Sequence, residues 1–111
     1  MWKDKLAQYD KLIAACTDFE RKGKTMPYTS ANGYMFSLLN KDGETGIRLS
    51  KESGKKFREK HKATIFKSYG AVMRDYVLVP DTLLKNKKLM IAYFTEGYNH
   101  VMGLEPKATK K

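Results

Sequence analysis

The stretch Tyr34-Met35-Phe36-Ser37-Leu38-Leu39-Asn40, then Lys41-Asp42-Gly43-Glu44-Thr45, then Gly46-Ile47-Arg48-Leu49-Ser50 decides the fold. Two β-rich runs flank an Asp-Gly pair, and glycine takes φ > 0 there without steric penalty, so the spacing predicts a β-hairpin. Strand side chains alternate between faces. Strict alternation puts Tyr34, Phe36 and Leu38 on one face of the first strand. Ile47 and Leu49 then share a face of the second, with Arg48 opposite. Such a hairpin has an apolar face that must be covered.

Upstream, Trp2, Leu6, Tyr9, Leu12, Ile13, Cys16 and Phe19 recur at three and four, which predicts an amphipathic helix over 2–22 stopped by Gly23. Residues 24–30 around Pro27 read as an extended segment or first strand, at a sheet edge or irregular, because proline has no N–H for a ladder. Asn32-Gly33 is a turn pair leading into the hairpin. Downstream, Ser50 is a good N-cap for a short surface helix over 51–61 that buries little besides Phe57. Thr64-Ile65-Phe66 and Arg74-Asp75-Tyr76-Val77-Leu78-Val79 read as strands around a Ser68-Tyr69-Gly70 turn. Pro80 ends the second strand, and Asp81 or Thr82 can cap the last helical element. That element, an apolar stripe from Leu83 to Met102, is helical with a break near Asn86-Lys87. Gly97 in its middle implies a close approach to the sheet, and Gly103 is placed as a glycine C-cap.

The order helix, three strands, short helix, two strands, long helix is that of an α+β protein. We expect a two-layer α-β-β-β-α-β-β-α fold, its largely antiparallel sheet covered by the N- and C-terminal helices. Residues 1–104 make one domain, and 105–111 a basic flexible tail.

At 111 residues, 41% hydrophobic and 31% charged, the composition is that of one folded domain rather than a disordered chain. The single cysteine, Cys16, excludes an intramolecular disulfide and reads as a small apolar residue of the first helix. Charges interrupt the N-terminus, so no signal peptide is expected, and no run approaches the ~20 apolar residues of a membrane span. The expectation is a cytoplasmic protein that engages no membrane. Half of the net charge of +10 lies in residues 51–67, where seven cations face Glu52 and Glu59, whereas residues 25–50 are neutral. Lys55, Lys56, Arg58, Lys60, Lys62 and Lys67 are candidate contacts for an anion or nucleic acid; the bland alternative is a solvated lysine coat.

The two histidines, His61 and His100, have no second ligand at metal spacing, and no nucleophile elbow, phosphate loop or dinucleotide fingerprint occurs. No catalytic residue, metal or cofactor is therefore assigned, and the chain is read as a non-enzyme. Arg48, Tyr69 and Arg74 are the candidates for a partner surface. Arg48 is to meet an anion if its sheet face is open, or a carboxylate if that face is covered. A pocket between the sheet and the last helix, near Tyr93, Phe94, Gly97 and Tyr98, is a further candidate for a small ligand.

The segment from Ile65 to Leu84, with Met73 three residues before Tyr76, then Val79-Pro80-Asp81-Thr82 and the paired Leu83-Leu84, resembles the N-terminal domain of the TfoX/Sxy family of bacterial competence regulators. Gly33-Tyr34-Met35-Phe36-Ser37-Leu38 and Gly46-Ile47-Arg48-Leu49 resemble that domain's central hairpin. Met26-Pro27-Tyr28-Thr29 stands where the family has Met-Phe-Gly-Gly. The resemblance spans about residues 5–104. It implies a single-domain member without the second domain of longer members, the same α-β-β-β-α-β-β-α order and no catalytic residues. It also implies a protein partner in transcriptional or competence regulation. Weak, sequence-independent nucleic-acid binding through the basic helix and tail is the alternative. The chain is expected to be a monomer or homodimer.

Overall fold

A computed structural model describes residues 2–16, 19, 21–23, 27–68 and 71–105, with the main chain alone at 68, 71, 72 and 74. The elements are α1 (Trp2–Ala14), β1 (Tyr28–Ala31), β2 (Tyr34–Leu39), β3 (Thr45–Arg48), α2 (Lys51–His61), β4 (Ile65–Ser68), β5 (Ala71–Leu78), α3 (Asp81–Leu84) and α4 (Lys87–Met102). The strands form one antiparallel sheet in the order β1-β2-β3-β5-β4. The fold is α+β, with α1 and α4 packed on the sheet, as the element order implies.

Each turn follows from its residues. Asn32 (φ 56°) and Gly33 (φ 82°) both take the left-handed region, as a two-residue type I′ hairpin turn requires, and Ala31 pairs with Tyr34 across it. In the second turn, buried Asn40 accepts from the N–H groups of Asp42 and Glu44 through Oδ1, and Gly43 supplies the positive φ. Ser50 Oγ accepts from the Ser53 N–H and opens α2.

Several boundaries differ from the sequence reading. α1 ends at Ala14 instead of running to Lys22. The Ala15 and Cys16 N–H groups turn to carbonyls three residues back, at 3.2 and 2.9 Å. The following Cys-Thr-Asp run is poor in helix formers, and Phe19 packs on Phe36 and Tyr98. Asp81 and Thr82 do not cap α3. Its N-cap is Pro80, whose carbonyl takes the Leu83 and Leu84 N–H groups. Asn86 caps α4 through its side chain, at the expected break. Gly103 does end α4 but with φ −83°, so its freedom to adopt positive φ is unused.

The larger correction concerns the hairpin faces. Thr29 pairs with Ser37 but Ser30 pairs with Met35, so Phe36 is an extra residue, a β-bulge in β2. The alternation is thereby broken. Phe36 lies against Phe19 and Tyr98, beside α4, whereas Leu38 joins a second apolar cluster with Phe66 and Tyr76. Leu39, Ile47, Leu49, Val77 and Phe94 belong to the main core between sheet and helices.

The second cluster has a cover made from the sheet itself. Between Ile65 and Phe66 the β4 register jumps from Val77 to Met73, so β5 bends. Phe66, fully buried, then lies over Gly46 of β3, two strands away in the sheet order. The Lys67 carbonyl comes within 3.5 Å of Asn40 Nδ2, at the end of β2.

Candidate functional site

Of the six basic candidates, Lys55, Lys56 and Lys60 are exposed along α2, Lys62 ends that helix and Lys67 is exposed on β4. Arg58 is half-buried. None of the six is paired with a carboxylate among the described residues, whose ion pairs are Lys5–Asp81, Arg21–Asp10 and Arg48–Asp75.

α2 is held by Phe57, which is buried against His61 and Tyr93, with ring centroids 4.8 Å from each. His61 Nε2 and the Tyr93 hydroxyl are 2.8 Å apart, joining the end of α2 to α4. Burial, then Lys60, lowers the His61 pKa, and burial, then Glu96, raises that of Tyr93. With one face so fixed, the lysines are left on the other.

Lys62 has φ 53° and ψ 41°, a left-handed conformation that glycine usually fills at a helix end. The Ala63 N–H reaches back to the Arg58 carbonyl at 3.0 Å, the six-to-one bond of a Schellman motif. The chain therefore turns sharply into β4. Arg58, Lys62 and Lys67 are brought to the rim of one trough, in two lobes of about 330 and 610 Å³ that share Glu44, Ala63, Thr64 and Leu78. Lys55, Lys56 and Lys60 do not line it. The six basic candidates thus divide into three at the trough and three on the open helix face.

Of the partner-surface candidates, Arg48 is the one whose side chain the structure describes. Arg48 is neither in open solvent nor under a helix. Its guanidinium lies 5.4 Å over the Tyr34 ring, with Nη2 3.6 Å from Asp75 Oδ2, and its side chain keeps 23% of its exposure. Its Nε is buried with no hydrogen-bond partner among the described residues. Arg74 contributes its main chain to β5, and Tyr69 lies outside the described residues. The space near Tyr93, Phe94 and Gly97 is packed: Phe94 is fully buried, edge-on to Tyr9, and α4 meets β3 at Gly97.

Among the described residues no group of three or more histidine, cysteine or acidic side chains is placed to hold a metal, and no helix is long and apolar enough to cross a membrane. Sequence reasoning missed Glu44, Thr64 and Leu78 as trough residues, which come from three separate segments and carry no shared local signal.

No protein-family model matches the chain, and no curated protein matches it in sequence.

Proposed function

We propose that this chain is a non-catalytic interaction domain of the TfoX N-terminal type that binds a protein partner in transcriptional or competence control. The observation that carries the reading is the basic α2–β4 face. Six cations have no carboxylate partner among the described residues; Arg58, Lys62 and Lys67 rim a trough with an apolar floor of Ala63, Ile65 and Leu78, and Lys55, Lys56 and Lys60 lie on the open face of the adjoining helix. Uncompensated charge of one sign attracts a partner of the other, and buried apolar contact then holds it. The resemblance from Ile65 to Leu84 and the agreement in element order support the assignment to the TfoX type. Affinity capture from bacterial lysate tests it, with K55E/K56E/K60E and R58E/K67E variants as parallel baits. Proteins retained by the parent and lost by either variant are the expected result. An identical set on all three baits rejects the reading.

A second reading, sequence-independent nucleic-acid binding, is favoured by the exposed Lys55, Lys56 and Lys60 on one helix. Phosphate contacts alone give a dissociation constant of about 10⁻⁴ to 10⁻⁶ M at physiological salt, with steep salt dependence. Anisotropy of labelled duplex and single-stranded DNA, at low and physiological salt, tests it. Binding that survives physiological salt and is lost in K55E/K56E/K60E would put this reading first.

A further inference from the structure

We infer that the trough between the end of α2, β4 and the β2–β3 turn receives an extended acidic segment of a partner protein that inserts an apolar side chain. This rests on the reading of the chain as a protein-binding domain and names the occupant.

Charge argues first for the sign of that occupant. Two carboxylates, Glu44 and Asp81, stand at the trough, and both are already engaged. Asp81 accepts from Lys5 Nζ at 2.8 Å, and Glu44 Oε1 accepts from Asn40 Nδ2 at 3.0 Å. Arg58, Lys62 and Lys67 have no such acceptor among the described residues. Asp81 is neutralised by Lys5, whereas Asn40 leaves the Glu44 charge in place, so the trough carries three cations against one uncompensated carboxylate and is net positive.

Shape and lining argue for a peptide over a polynucleotide. The floor is apolar at Ala63, Ile65, Leu78 and Val79. No aromatic ring lines either lobe among the described residues, whereas single-stranded nucleic acid is held largely by stacking. A chain with alternate acidic and apolar side chains satisfies both the charge and the apolar floor, and it runs along Thr64 and then Ile65 and Lys67 of β4, an edge strand of the sheet.

Lys62 supplies an independent sign. Lysine occupies a left-handed position where glycine would be less strained, and sparsely populated backbone conformations concentrate at binding sites. Lys62→Gly should raise the thermal midpoint and weaken binding together, a pairing that a purely structural lysine would not give.

The test is fluorescence anisotropy with four labelled probes: a peptide alternating glutamate and valine, an all-glutamate peptide, a peptide alternating lysine and valine, and a single-stranded oligonucleotide. The titrated proteins are the parent, R58E/K67E, Thr64→Trp and K55E/K56E/K60E, each checked for an unchanged circular dichroism spectrum. Thr64 is exposed and lines both lobes, so tryptophan there fills the trough without altering charge. The glutamate–valine peptide should bind best, and about tenfold more weakly to R58E/K67E and to Thr64→Trp but not to K55E/K56E/K60E. Loss confined to K55E/K56E/K60E overturns the trough and leaves the basic face as a protein-docking surface. Preference for the oligonucleotide overturns both readings. No binding of the glutamate–valine peptide overturns the proposed occupant alone, since the lysate capture reports on the domain's role separately.

Discussion

The Phe66 ring lies so close over Gly46 that a Cβ at position 46 would come within 2.7 Å of Phe66 Cγ. One residue has no side chain because the other needs its place. Gly46→Ala should cost about 1–3 kcal/mol, the range for overpacking a filled site. Chemical denaturation measures it. A Phe66→Leu change in the same chain should recover part of the loss, and strict additivity of the two changes would show that the contact is not the cause.

Gly97 tests the same logic with opposing terms. Alanine in a helix interior gains about 1 kcal/mol over glycine. Here its Cβ would meet the Arg48 carbonyl at 2.8 Å, and a main-chain atom in the middle of a sheet cannot swing aside. Gly97→Ala should be destabilising in spite of propensity. A raised denaturation midpoint would reverse this account of why α4 carries glycine.

Tyr9, Ser37 and Thr29 form a buried chain of hydroxyls linking α1, β2 and β1. Removing one member leaves the others short of a partner away from water. Tyr9→Phe should therefore cost about 1–3 kcal/mol, read by thermal or urea unfolding. Burial also pushes the Tyr9 hydroxyl pKa far up.

Two groups set opposite limits on pH stability. Burial raises Tyr76 from 10 to about 12, so the neutral hydroxyl is favoured in the fold. Its contribution is complete below pH 10, the unfolded value, and is lost as pH climbs through about 12. His61 is lowered from 6.5, first by burial and then by Lys60. Its contribution is present above pH 6.5 and falls away as acid charges the ring against its surroundings. Melting temperature against pH should lose part of its acid limb in His61→Asn and part of its alkaline limb in Tyr76→Phe. Unchanged limbs would remove these groups from the account.

Lys62→Gly should stabilise the isolated protein by roughly 1 kcal/mol, because glycine pays no Cβ penalty in the left-handed region. Differential scanning calorimetry would show it. A lowered midpoint would mean that the lysine stem packs favourably enough to offset the strain.

The Asp-Gly and Asn-Gly turns, the Ser50 cap and the period of α4 were readable because each is local chemistry at neighbouring positions. Gly97 was readable as a close approach because it interrupts a strong helix former pattern. The bulge at Phe36 was not, since period-two alternation assumes a perfect register and nothing in Tyr34–Leu39 marks the extra residue. Nor was the Phe66–Gly46 contact, which depends on β5 bending between its pairings with Ile65 and Phe66. The lysines of α2 were visible as a charged run. Their division into three at a trough and three on open helix required the left-handed turn at Lys62, where sequence habit expects glycine.

Asn32, at the tip of the first hairpin, donates through Nδ2 to the carbonyls of Val101 and Leu104, 69 and 72 positions later. The residues of this turn are thus synthesised long before the carbonyls that latch it. Until α4 emerges, the apolar surface of Phe36 and Ile47 has no Gly97 face to close on. Closure of this part of the core therefore depends on contacts that span most of the chain, and a nascent chain stalled before its last helix should leave that surface uncovered.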